Sequence, residues 1–221
     1  MEGTARTAID SDTGTPGDTT LIMRDITDRK GLEERLSILA HTDGLTGLAN
    51  RRAFDEALEQ EWRRALEEGS QMSLILLDVD HFKDFNDNYG HQVGDDCLRA
   101  VAAAVRGVLY HPCDLAARYG GEEFAVILPS ADAAAAIQIA EQMRSAVEAL
   151  QLPNTGRSDQ RACVTVSIGV ATAMSITGGT IAMPQGLLTA ADGALYKAKH
   201  GGRNRVDTAL LLMPAEEASA R

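Results

Sequence analysis

The run Leu74-Ile75-Leu76-Leu77 passes directly into Asp78-Val79-Asp80. It reads as a buried strand, apolar on both faces, that delivers carboxylates at its end. Successive strand residues face opposite sides, so Asp78 and Asp80, two apart, share one face. A second segment, Arg118-Tyr119-Gly120-Gly121-Glu122-Glu123-Phe124, reads as a β-hairpin. Its Gly-Gly pair can take positive φ, and alternating residues follow into Phe124-Ala125-Val126-Ile127-Leu128. A hairpin tip carrying Glu122 and Glu123 beside the end of the first strand gathers several carboxylates in a small volume. Like charges so close raise each other's pKa unless a cation neutralises them. Hard oxygen ligands in that number favour Mg²⁺ or Mn²⁺ and point to two-metal phosphoryl or nucleotidyl transfer.

Helical and extended patterns alternate around these segments. Asn50 is placed to cap a helix with Phe54, Leu58, Trp62 and Leu66 on one face, ahead of a strand at 73–79. A helix started by Gly94 carries Leu98, Val101, Val105 and Leu109. Hairpin strands near 114–119 and 122–128 follow, then a helix over about 132–150. Strands near 162–172 and 205–212 bracket a helix at about 187–200. The hairpin forbids an all-parallel sheet, so the expected class is α+β: a central sheet with antiparallel strands, flanked by helices.

The 221 residues suffice for one well-buried domain with extensions. Residues 1–18, rich in Thr, Gly, Asp and Ser, read as a flexible lead-in, and 20–27 as one strand without partners. A helix beginning at Thr27 or Asp28 carries a narrow stripe of Leu32, Leu36 and Leu39. That stripe suits either packing on its own domain or a short parallel coiled coil between two chains. A net charge of −11 argues against nucleic acid as a partner. No apolar run approaches the ~20 residues that span a bilayer, and there is no signal-peptide pattern, so a cytoplasmic chain without direct membrane contact is expected. Cys97, Cys113 and Cys163, odd in number and widely spaced, read as buried free thiols in a reducing compartment.

Gly120-Gly121-Glu122-Glu123-Phe124 is the GGEEF form of the signature of the GGDEF diguanylate cyclases, which the chain resembles. The resemblance extends to Asp43-Gly44-Leu45-Thr46-Gly47-Leu48-Ala49-Asn50-Arg51-Arg52, to the stretch from Asp78 to Asp95 and to Val166-Ser167-Ile168-Gly169-Val170-Ala171. It extends as well to Ala191-Asp192, Ala198-Lys199 and Gly202-Arg203-Asn204. Five motifs in order and spacing are far more specific than one. The resemblance implies a palm-like nucleotidyl cyclase fold over 41–210, preceded by a signalling helix at 27–40 and followed by a flexible tail at 211–221. Within 1–26, the Asp-Ile-Thr ending of the strand resembles the last strand of a PAS sensor domain.

Position by position, the resemblance implies Asp78, Glu122 and the Val79 carbonyl as metal ligands, with two Mg²⁺ (or Mn²⁺) per active subunit. Glu123 would complete the second metal site or move a proton. Alone, a strand-end Asp reads as an exposed cap. His81, Phe82 and Lys83, at a turn from strand to helix, offer backbone N–H groups to the β- and γ-phosphates of GTP. Lys83 adds charge for the leaving pyrophosphate, or is simply solvated. Lys199 and Arg203 match the basic pair that reaches the terminal phosphates, although their setting also reads as an ordinary basic helix C-terminus with a Gly stop. Asn86 and Asp95 match the guanine-reading residues, with His91 between them. Asp95 can accept from the N1–H and N2–H₂ donors of guanine, which adenine lacks. Asp84, Asp87 and Asp96 read as solvated charges.

One departure stands out. Many relatives carry Arg-x-x-Asp ahead of the hairpin as a product-inhibition site, and here those positions are His111-Pro112-Cys113-Asp114. An imidazole cannot make the bidentate guanidinium contact, so that site reads as degenerate. The expected activity is condensation of two GTP into cyclic di-GMP across a homodimer of facing half-sites. The alternative is a catalytically silent module that binds GTP or cyclic di-GMP.

Overall fold

A computed structural model describes residues 2–9, 16–24, 39–155, 162–176 and 184–214, with side chains over 39–155, 162–174 and 184–210. The chain divides into two units, Met1–Ala40 and His41–Arg221. In the first, β1 (Glu2–Ile9) pairs antiparallel with β2 (Pro16–Arg24). The flexible lead-in and partnerless strand expected there are thus replaced by a two-stranded ribbon. Its Thr-rich segments suit extended backbone, and the polar composition had obscured that. The signalling helix expected over 27–40 lies outside the described residues, apart from its last two positions.

The second unit is built on a five-stranded sheet in the order β4-β5-β3-β6-β7. Its strands are β3 (Met72–Val79), β4 (Leu115–Gly120), β5 (Glu123–Pro129), β6 (Val166–Ile176) and β7 (Val206–Pro214). The first four neighbours run antiparallel, while β6 and β7 are parallel. β7 therefore takes in 211–214, which the sequence had suggested were tail. The central β3 is buried along its whole length, as its unbroken apolar run demands.

The two faces of β3 pack different helices. Met72, Leu74 and Leu76 join a core with α1 (Arg51–Glu68) and α5 (Pro184–His200). Ile75, Leu77 and Val79 join the opposite core, with α2 (Phe82–Tyr89), α3 (His91–Val108) and α4 (Ala133–Ala149). Each fully buried Leu or Ile contributes about 1.5–3 kcal/mol, so a misregistered β3 is strongly disfavoured. Asn50 caps α1 as expected, its side chain accepting from the Ala53 N–H. Gly169 on β6 lets α5 approach closely, since a Cβ there would stand 2.2 Å from the Ala191 carbonyl oxygen. The expected α+β class, with helices on both faces of an antiparallel-containing sheet, is the observed one. No helix among the described residues is long and apolar enough to cross a membrane.

Candidate active site

Two short connections form the site: the step from β3 into α2, and the turn from β4 into β5. Cross-strand pairing sets Asp78 directly opposite Glu123, so the two carboxylates share a sheet face. The Val79 N–H donates to the Glu122 carbonyl at 3.3 Å, tying the strand end to the hairpin tip. The β4–β5 register shifts between Arg118 and Gly120, and Gly121 takes φ +55°. This irregularity and the glycine conformation turn the chain sharply, leaving Glu122 half-buried and Glu123 exposed.

Asp78 is only 8% exposed and accepts a hydrogen bond from Lys199 Nζ at 2.8 Å. Burial pushes its carboxyl up to about 6, the Lys199 ammonium opposes that rise, and the nearby Glu122 and Glu123 reinforce it. Among the described residues no three His, Cys, Asp or Glu side chains form a ready ligand cage. The compact carboxylate group expected from the sequence is thus looser, with a lysine serving as counter-ion. Asp80, on the same face, is 1% exposed and accepts from Thr165 Oγ1 and Ser167 Oγ, both at 2.7 Å, and from the Asn204 N–H at 3.1 Å. Its oxygens are occupied by these donors, and its role is structural.

Beside the hairpin lies an open cleft of about 550 Å³, lined by Phe82, Lys83, Asn86, His91, Asp95 and Glu122. Asp87, Leu98, Arg118 and Gly121 complete its walls, so Asp87 faces the cleft instead of open solvent alone. Asp84 instead pairs with His81 Nδ1 at 3.1 Å, and His81 itself takes φ +56° ahead of α2. Gly94 does not start α3 as expected; it sits buried within the first turn of a helix that begins at His91. A Cβ there would fall 1.9 Å from Asn86 Oδ1, so the glycine makes room for that amide. Asn86 Oδ1 is buried without a hydrogen-bond partner in the described structure.

Arg118 was missed as a site residue. Its Nε donates to the Gly121 carbonyl at 2.9 Å, and its Nη1 lies 3.4 Å from both Asp43 oxygens. Asp43 also accepts from the Thr46 N–H and hydroxyl, which lock the 43–48 turn. The signal was present in the sequence, a basic residue just ahead of Gly-Gly and an Asp in a turn motif, but their pairing across the fold was not legible.

Lys199 reaches Asp78 from the end of α5, whereas Arg203 lies in the following turn and is not among the residues lining the cleft. His111 and Asp114 share a turn before β4, where the Asp114 N–H donates to the His111 carbonyl at 3.0 Å. Burial pushes the Asp114 carboxyl up, with the His111 backbone bond and ring opposing it.

Comparison with known proteins agrees with this architecture. The family described as "Diguanylate cyclase, GGDEF domain" matches residues 40–205. The chain belongs to the GGDEF family. Diguanylate cyclase VdcA of Vibrio cholerae is 43% identical to it over 164 residues, 74% of this chain and 45% of that protein. Response regulator PleD of Caulobacter vibrioides is 41% identical over 182 residues, 80% of this chain and 38% of that protein. The chain thus spans less than half the length of these curated relatives. Among solved structures, the coiled coil and GGDEF domain of DgcB from Caulobacter crescentus, in complex with c-di-GMP, superposes with a TM-score of 0.73. It is 40% identical and the match covers 83% of this chain and 93% of that one. The active GGEEF domain of a Vibrio cholerae diguanylate cyclase gives 0.61 at 30% identity, over 73% and 97% of the two chains.

Metal dependence is a property of GGDEF diguanylate cyclases, and the donor set of this GGDEF domain fits it. A buried Asp whose carboxyl is raised by burial and by two neighbouring glutamates favours an added cation, and the all-oxygen donors suit a hard one.

Proposed function

We propose that this GGDEF domain catalyses the condensation of two GTP into cyclic di-GMP with release of two pyrophosphates. The observation that carries the reading is the single cleft containing Asn86 and Asp95 at the same time as Glu122. Base-reading groups and a hairpin carboxylate border one space large enough for a nucleotide. The names of VdcA and of the Vibrio cholerae GGEEF domain, both called diguanylate cyclases, support the same activity.

Asn86 and Asp95 bind the guanine, with His91 as a further contact. The buried Asn86 Oδ1, lacking a partner, is suited to accept from a base donor. The open N–H groups at the start of α2, around Phe82 and Lys83, together with His81 ahead of them, cradle the β- and γ-phosphates. Lys83 and Arg203 add positive charge there, and Lys199 joins them when released from Asp78. Asp78, the Val79 carbonyl, Glu122 and Glu123 would hold two Mg²⁺ or Mn²⁺ ions. When bound, the ions would acidify the attacking hydroxyl and stabilise charge developing at phosphorus. The 3′-oxygen of one GTP bonds to the α-phosphorus of the other while the bond to the β-phosphate oxygen breaks, and pyrophosphate leaves. Glu123, exposed on the hairpin, is suited to accept the 3′-hydroxyl proton.

Each domain supplies one nucleotide site, and the product joins two nucleotides symmetrically, so a homodimer with facing clefts is the working unit. A helix at 27–40 would set how the two domains meet. GTP as substrate and the thiols of Cys97, which is buried, and Cys113, which is exposed, suit a cytoplasmic setting. The retained carboxylates Asp78, Glu122 and Glu123 weigh against a silent binding module. The test is to incubate the protein with GTP and Mg²⁺ and separate the products chromatographically. Release of two pyrophosphates for each cyclic di-GMP formed supports the reading; binding of GTP without turnover would replace it with the silent module.

A further inference from the structure

The turn after α5 contains two successive non-glycine residues with left-handed backbones, Arg203 at φ +58° and Asn204 at φ +49°. Such conformations are costly for residues with a Cβ and persist where the surroundings over-determine them. Asn204 is over-determined from two sides. Its backbone N–H donates to Asp80 Oδ2 at 3.1 Å, on a carboxylate already fixed by Thr165 and Ser167. Its side chain faces α4, where Oδ1 accepts from Arg144 Nη1 at 3.0 Å and Nδ2 donates to Glu148 Oε1 at 2.8 Å. Arg144 and Glu148 also bond each other at 2.8 Å, one turn apart on the helix.

Both polar atoms of the Asn204 amide are therefore held by one α4 pair, which also dictates how the amide is oriented. Arg203 stands next to this anchored residue. Its N–H donates to the Ala198 carbonyl at 3.0 Å, and its guanidinium makes no ion pair among the described residues. The turn is thus rigid at its backbone and leaves one cation available to an anionic ligand.

We infer that Asn204, Glu148 and Arg144 are positioning residues for the terminal phosphates of the substrate. They hold the backbone from which Arg203 acts, though none of them touches the nucleotide. The inference rests on the reading of Arg203 as a phosphate ligand given above. It also makes the side of α4 that meets Asn204, on the same sheet face as α2 and α3, a place from which affinity for the triphosphate is set.

The test compares affinity for the α,β-methylene analogue of GTP, which cannot lose pyrophosphate, with affinity for GMP, by calorimetry in Mg²⁺. Glu148→Ala should lower the preference for the triphosphate by roughly 3- to 10-fold, the effect of a lost supporting hydrogen bond, and leave GMP affinity unchanged. Glu148→Gln keeps an acceptor for Asn204 Nδ2 and should restore most of the preference. Arg203→Ala should lower it further, and adding Glu148→Ala to Arg203→Ala should have no additional effect. If Arg203→Ala lowers the preference and Glu148→Ala does not, the inference is overturned while the phosphate role of Arg203 stands. If Arg203→Ala itself changes nothing, the phosphate role fails and the inference with it. Equal losses for GMP and the analogue on Glu148→Ala would show general damage to the fold and also overturn it.

Discussion

Asp78→Asn should stabilise the metal-free protein at neutral pH while abolishing nucleotide transfer. Asp78 is 8% exposed, and burial pushes its carboxyl from the ordinary 3.8 up to about 6 despite the Lys199 ammonium. A folded pKa above the unfolded one means that the folded protein keeps a proton which the unfolded chain has lost. The associated stability is fully present below about pH 3.8 and is lost as pH rises to about 6. At about 1.36 kcal/mol per unit, the full loss is about 3 kcal/mol. Asparagine is neutral throughout, so it avoids the loss. Lys199, with 32% of its side chain exposed, can return to water when its partner changes.

The assay is urea unfolding in EDTA at pH 7.5, 5.5 and 4. At pH 7.5 the variant should gain up to about 3 kcal/mol, a rise of roughly 1 M in the urea midpoint. The gain should shrink at pH 5.5 and approach zero at pH 4. A variant less stable than the parent at pH 7.5 would refute the reasoning, because the Lys199–Asp78 bond would then outweigh the cost of burying the charge. A gain that does not change with pH would refute it too. A carboxylate that weakens its own fold, here one proposed to hold metal, is an expected trade of stability for function.

Glu122→Gln keeps the side-chain volume but removes a ligand charge, so turnover of GTP should fall by at least roughly 10²-fold; near-parental rates of cyclic di-GMP formation would remove Glu122 from the catalytic core. Asp95→Ala should weaken GTP binding by about 1–3 kcal/mol in calorimetry and affect ATP less, and equal losses for the two would mean that Asp95 supports the fold instead of reading the base. His111→Arg should create or strengthen inhibition by cyclic di-GMP, since Asp114 already stands across the same turn and a guanidinium can fork onto phosphate and guanine. Initial rates against added cyclic di-GMP measure this, and strong inhibition of the parent chain would contradict the reading of His111 as a degenerate position.

Much of this protein was determined locally. The apolar stretch 74–77 fits a doubly covered strand, Asn50 is a strong helix cap, and Gly120-Gly121 admits a tight turn. Such preferences depend on a residue and its near neighbours, so they survive in the sequence and indicate α+β architecture and the hairpin that carries Glu122. The order of the five motifs likewise identified the family without coordinates. Contacts between distant segments were decided only by the tertiary structure. Nothing near Lys199 indicates that its ammonium bonds to Asp78, and Arg118 gives no local sign of reaching Asp43. Gly94 looked like a helix start because glycine's local meaning is a break, whereas its role is to admit Asn86 from another helix. Asn204 stood out only as the end of the Gly202-Arg203-Asn204 motif, yet its amide is held by Arg144 and Glu148 on α4. Pair energies of this kind depend on separation and burial in space, and those quantities exist only once the sheet and its two helical layers have closed.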